Sequence, residues 1–263
     1  MTFTATQLPS AVPTSAPTAT LAPRCDEKAG KLEMTNYSGV VSEDEVQVTV
    51  YLPACYGQST ERYPVIYALH GYPLDETHWQ QLGVIKVVDK GIQNKSWGPF
   101  IIVMPRIPDY LNVRTDGGPG SFEQELVEGL RPFIDRRYRT RNGAAFNALA
   151  GVSRGAVWAL EIGLRNGDRF GTVAAISPAL HVNRPRIAYD PFLLVLEDGN
   201  FPERIFVSVG DSEAGFRQKT EEFVQILVQN NFDITFLLTT GEHVNATFAG
   251  VIAEVIEFIA AQW

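Results

Sequence analysis

Five short runs of nearly unbroken apolar residues, at 64–69, 99–104, 144–150, 172–176 and 204–209, constrain this chain most. Runs of this length without polar alternation are what strands covered on both faces contain. Segments of helical character separate them. Ser121 opens one, with Gln124 three residues on as a capping box and Phe122, Leu126, Leu130, Phe133, Ile134 and Tyr138 as its inward stripe. Pro132 is expected to kink or split that helix. Further helices are predicted over 156–164, 216–230 and 248–259, and Asp190-Pro191 reads as an N-cap followed by a first-turn proline. Val46, Val48, Val50 and Leu52 alternate with polar residues as in a half-buried strand, and 232–238 is strand-like. The alternation predicts an α/β fold: one mostly parallel sheet, helices on both faces, no repeat and no large cap domain.

In such sheets the working residues stand in loops beyond the carboxyl ends of the strands. His70, Ser153, Asp211, Glu213 and His243 each follow a predicted strand. Ser153 lies in Gly151-Val152-Ser153-Arg154-Gly155, between an apolar run and a stretch of good helix formers. This is the setting of a nucleophile elbow, in which a sharp turn pushes the serine hydroxyl outward. A serine hydroxyl needs a base to take its proton, and a carboxylate to orient that base. In the α/β-hydrolases, which this elbow resembles, the chain order is serine, acid, histidine. Only His181 and His243 follow Ser153, and His243 sits between the last strand and the last helix, which makes it the expected base. His181 falls in an irregular insertion, 178–203, and reads as pocket lining or plain surface. The acid comes from Gly210-Asp211-Ser212-Glu213, and both Asp211 and Glu213 are placed to serve. Two backbone N–H groups are needed for the oxyanion, and those of Arg154 and Tyr72, in His70-Gly71-Tyr72, are the candidates.

The remaining composition narrows the partners. The net charge of −8 and the absence of a basic run argue against nucleic acid. No apolar stretch reaches the roughly 18 residues of a membrane span. Neither a metal cluster nor a glycine-rich phosphate loop is visible, so no cofactor is expected. Cys25 and Cys55 stand in polar, loop-like stretches and predict a disulfide, the alternative being two separate thiols. A disulfide favours a secreted or cell-envelope setting, with a cytoplasmic one as the alternative. Residues 1–29 read as a disordered lead rich in Thr, Pro and Ala, and 30–263 as a single catalytic domain.

Several local motifs resemble the esterase D-like branch of the α/β-hydrolases. They are Val50-Tyr51-Leu52-Pro53, Tyr63-Pro64-Val65, Leu69-His70-Gly71-Tyr72, Val103-Met104-Pro105, 128–135 with Tyr138-Arg139-Thr140, and 150–156. The branch includes feruloyl, acetylxylan and siderophore esterases and mycolyltransferases. The resemblance implies a serine esterase acting through an acyl-enzyme on acyl or aryl esters of carbohydrates or small alcohols. An acyl transferase, or an inactive binding module, is the alternative. In the family the acid often falls three residues after a glycine that ends its strand, which favours Glu213 over Asp211, although Asp is commoner there. Relatives often carry aromatics just behind the histidine, where this chain has Val244-Asn245-Ala246-Thr247-Phe248. Trp79, His181 and Phe192 are the expected pocket residues, with His78, Asp116, Phe122 and Pro191 near them.

Overall fold

The computed structural model describes residues 25–263, so residues 1–24 of the expected lead lie outside the described residues. The strands are β1 (Lys31–Ser38), β2 (Glu45–Leu52), β3 (Val65–Leu69), β4 (Ile101–Pro105), β5 (Asn147–Val152), β6 (Thr172–Ile176), β7 (Arg204–Gly210) and β8 (Ile234–Thr239). They form one sheet in the order β1-β2-β4-β3-β5-β6-β7-β8. The first two pairings are antiparallel and all later ones parallel. Strands β3 to β6 are buried along their whole length, as their unbroken apolar sequences require. β1 was not legible in the sequence. It is an edge strand of mostly polar residues, held by its ladder to β2 rather than by burial.

The helices are α1 (His78–Gln81), α2 (Val84–Gln93), α3 (Asp109–Asn112), α4 (Phe122–Gln124), α5 (Arg131–Arg137), α6 (Arg154–Arg165), α7 (Pro191–Leu194), α8 (Ala214–Gln229), α9 (Asn245–Gly250) and α10 (Ile252–Ala260). The pleat sends alternate strand residues to opposite faces. Val65, Tyr67 and Leu69 of β3 join the core under α5, α6 and α8, while Ile66 and Ala68 join the core under α2 and α10.

Two of the expected helices differ in detail, the first being split near Pro132 as expected. Between α4 and α5 the chain widens into a π-helical segment, Glu125–Leu130, directly before Pro132. Proline lacks an N–H and crowds the carbonyl four residues back, and the wider turn absorbs both. Ser121 Oγ accepts from Gln124 N–H as expected, but the Gln124 side chain reaches Gly120 N–H instead of closing the box. The last helix begins earlier than expected and breaks at Val251, after Gly250, so that α9 and α10 are separate.

Cys25 and Cys55 are disulfide-bonded across a sequence separation of 30. A cross-link closing a loop of that length is worth about 3 kcal/mol through the entropy of the unfolded chain. Reduction should lower the urea midpoint accordingly, with a Cys25→Ser/Cys55→Ser double variant as the control that no longer responds. A midpoint indifferent to reductant contradicts this.

Candidate active site

Ser153 sits at the end of β5 with φ 56° and ψ −115°, a conformation side chains rarely adopt. Its surroundings hold it there. Its N–H donates to Ile176 O (2.9 Å), and its carbonyl accepts from Ala156, Val157 and Ala179 N–H. The flanking glycines are sterically required. A Cβ on Gly151 would lie 2.1 Å from Gly155 O, and one on Gly155 would lie 2.4 Å from Leu69 O and 2.5 Å from His70 O. Only hydrogen at both positions lets the turn pack against the end of β3.

His243 Nε2 lies 2.9 Å from Ser153 Oγ, and its Nδ1 lies 2.6 Å from Glu213 Oε2. Glu213 is buried, and its other oxygen accepts from Gly210 N–H (2.7 Å) and Ser177 Oγ (2.6 Å). Both carboxylate oxygens are therefore hydrogen-bonded, which a buried charge needs. Asp211 is exposed and turned elsewhere. Its carboxylate accepts from Gly241 N–H (3.0 Å) and Ser212 Oγ (2.9 Å), which shapes the turn and holds its pKa below the usual carboxylate range. The imidazole of His243 stacks on Phe216 (3.7 Å between centroids, 20°) and meets the edge of Phe248 (4.9 Å). The sequence does not single out Ser177, Phe216 or Phe248 for the site. Phe216 reads in the sequence only as an apolar position in the first turn of a helix.

Among the described residues, no acceptor is found for the backbone N–H of Tyr72 or of Arg154. The Arg154 guanidinium binds the carbonyls of Asn112 and Val113 and lies 5.1 Å from the Tyr72 ring centroid, strapping two loops beside the serine. His70 serves the same loop from beneath. Its Nε2 accepts from Ile107 N–H (2.9 Å), which places its proton on Nδ1, directed at Gly71 O (2.8 Å). Burial pushes its pKa down to about 4.

The expected pocket residues separate. Trp79 is core: it is buried, and its indole N–H donates to Leu69 O (3.0 Å). Phe122 is core as well, edge-on to Trp158. Phe192 packs on Phe223, and with Pro191 it lines a cavity of about 670 Å³ between the insertion and α8; Ser153 does not line that cavity. These placements take Trp79 out of the expected pocket and leave Phe122 in the inward helix stripe: Trp79 and Phe192 stand in the short helices α1 and α7 and pack against the core. His181 stays close, its ring 4.0 Å from Phe216, on which His243 stacks. Asp116 pairs with Arg114 and Arg186. Glu161 is likewise not singled out by the sequence. Its buried Oε1 accepts from Thr115 Oγ1 (2.6 Å) and Asn183 Nδ2 (3.4 Å), tying the insertion to α6, and burial raises its pKa well above the carboxylate range.

The eight-stranded, mostly parallel sheet with a strained serine after β5 defines the class as an α/β-hydrolase. Residues 39–251 match the family described as Putative esterase, and the chain belongs to that family. It is 30% identical over 200 residues to an endo-1,4-beta-xylanase/feruloyl esterase of Xylanibacter ruminicola, a match covering 72% of this chain and 26% of that protein. It is 28% identical over 185 residues to the ferri-bacillibactin esterase BesA of Bacillus subtilis, covering 61% and 63%. The chain thus spans about a quarter of the first relative and under two thirds of the second. A ferulic acid esterase structure superposes with a TM-score of 0.79 at 23% identity, covering 89% of this chain and 99% of that one. No helix among the described residues is long and apolar enough to cross a membrane.

The geometry separates the two acids experimentally. Glu213→Ala should lower kcat for a p-nitrophenyl ester by about 10³- to 10⁴-fold, as loss of an orienting carboxylate does. Asp211→Ala should change it less than about tenfold. Equal losses would contradict the arrangement. A pH dependence of stability follows from His70. Its pKa is lowered by folding, so the unfolded chain takes up the proton first. The stabilisation is complete above about pH 6.5, the unfolded value, and is lost as the pH falls toward about 4. The urea midpoint should be lower at about pH 5 than at about pH 7, and the difference should shrink in His70→Asn. Equal midpoints at the two pH values would contradict it.

Proposed function

We propose that this α/β-hydrolase is a serine carboxylic ester hydrolase that works through an acyl-enzyme on Ser153. Ser153 Oγ attacks the ester carbonyl carbon while its proton passes to His243 Nε2. Glu213 holds the imidazole by Nδ1 and offsets the charge of the imidazolium. The carbonyl oxygen, now an oxyanion, takes hydrogen bonds from the N–H groups of Tyr72 and Arg154. Collapse breaks the bond to the alcohol oxygen, which leaves with the proton from Nε2. Water then attacks the acyl-enzyme with His243 as base, releasing the acid and restoring Ser153. The observation that carries this reading is the hydrogen-bonded line from Ser153 Oγ through His243 to Glu213.

The substrate class we favour is an apolar or aryl acyl ester of a carbohydrate or small alcohol. Tyr72, Leu74, Val113, Val182 and Val244 are exposed apolar or aromatic side chains in the loops after β3, β4, β6 and β8, the same edge that carries Ser153. Solvent-exposed apolar residues gathered at a reactive edge suit an acyl group with little polarity. The relationship to proteins named as feruloyl esterases supports the same class. In this reading residues 30–263 form one catalytic domain, and the Cys25–Cys55 disulfide supports a secreted or cell-envelope setting.

Ser153→Ala should lower turnover of a short p-nitrophenyl ester by at least about 10⁴-fold with the fold retained. Wild-type turnover no faster than the variant's would overturn the enzyme assignment. Across methyl ferulate, acetylated xylan and p-nitrophenyl acetate, kcat/KM should be highest for the aryl acyl ester. Cleavage of acetylated xylan alone would contradict the acyl preference.

A further inference from the structure

His78 has no part in the reaction as written, yet it lies between the two loops the reaction needs. It opens α1, is 1% exposed, and its neighbour Trp79 anchors the turn on Leu69 O. Its Nδ1 accepts the N–H of Gly71 (3.3 Å). An unprotonated Nδ1 puts the proton on Nε2, which stands 3.1 Å from Asn245 Oδ1 and donates to it. Asn245 is the first residue of α9, two positions after His243. Gly71 is sandwiched at this point: a Cβ there would lie 3.4 Å from Ser153 Cβ and 3.7 Å from His78 Cε1. The peptide that follows Gly71 carries the free N–H of Tyr72.

We propose that His78 is a positioning residue that fixes the Gly71–Tyr72 backbone beside Ser153 and braces that loop against the segment carrying His243. The inference rests on the reading of Ser153, His243 and the Tyr72 N–H given above. An oxyanion donor is effective only where it is already aimed, and a displacement of about 1 Å at a reacting centre costs on the order of 10²-fold in rate. One imidazole can hold both sides because its two nitrogens point in different directions, one accepting and one donating. The Gly71 contact is the one that bears on the oxyanion. The contact with Asn245, whose side chain is otherwise exposed, keeps the two loops in register.

The two contacts are separable by substitution. Asparagine places its carbonyl oxygen where Nδ1 stands and keeps the acceptor for Gly71, but it cannot reach Asn245. Glutamine reaches Asn245 but leaves Gly71 N–H without its acceptor. With p-nitrophenyl acetate, His78→Ala and His78→Gln should lower kcat by about 10- to 100-fold with KM within about twofold. His78→Asn should recover kcat to within about fivefold of wild type, and Asn245→Ala should lose no more than that. Urea midpoints measured on the same samples separate positioning from folding. Unchanged kcat in His78→Ala, or equal losses in the Ala, Asn and Gln variants, would overturn the proposal. Ser153→Ala in the same assay keeps the two claims apart. Wild-type turnover that matches it overturns the site reading and this inference with it. Turnover well above it, with His78 variants at wild-type rate, overturns only the inference.

Discussion

The sheet edge that carries Ser153 depends on how closely the chain at Gly155 passes the carbonyls of Leu69 and His70. Any side chain at Gly155 would sit within 2.5 Å of both oxygens, so the first turn of α6 can lie against the end of β3 only because that position is bare. That contact fixes the serine turn to the loop bearing Gly71 and Tyr72. The positive φ of Ser153 is tolerated because N–H and carbonyl groups of β6 and the following loop engage its backbone on both sides. Strain of this kind costs on the order of 1–3 kcal/mol and persists only where neighbours enforce it. Here the neighbours are backbone atoms, which cannot swing away as a flexible side chain could.

From that fixed point the remaining parts are placed by aromatic packing and by buried polar contacts. His243 is set by the face of Phe216 and the edge of Phe248, and these contacts leave its ring nitrogens directed at Ser153 and Glu213. Glu213 stands just before α8, and its longer side chain folds back to the end of β7, where Gly210 N–H and Ser177 Oγ receive it. Gly210 has no room for a side chain, because a Cβ there would meet Gly241 O at 2.3 Å and Glu213 Oε1 at 2.8 Å. The glycine that ends the strand and the acid three residues later are thus parts of one packing arrangement.

How much of this was legible in the sequence depended on the kind of interaction involved. Strands β3 to β6 announce themselves because burial on both faces demands unbroken apolar runs. β1 does not, since ladder hydrogen bonds leave no mark on side-chain choice. Chain order and glycine spacing single out Ser153 and His243, and the structure places His243 Nε2 2.9 Å from Ser153 Oγ. The choice between Asp211 and Glu213 was not decidable from the residues alone, because both follow β7 and both could cap or turn the loop. Trp79 and Phe192 sit in the four-residue helices α1 and α7, too short for a periodicity that would say which way they face, whereas Phe122 keeps the inward position that its helix stripe predicts. Ser177, Phe216 and Glu161 were missed because each gains its place through a partner distant in sequence.

If Ser153 Oγ is the nucleophile that becomes acylated, with His243 as its base, a covalent adduct can be trapped on that oxygen. The most direct measurement is peptide mass spectrometry after brief exposure to a p-nitrophenyl phosphate triester, which traps the first covalent step by leaving a phosphoryl group that water removes slowly. A single adduct is expected on Ser153, formed in step with nitrophenol release and lost in His243→Ala. An adduct on another residue, or labelling of Ser153 at the same rate without His243, would contradict it.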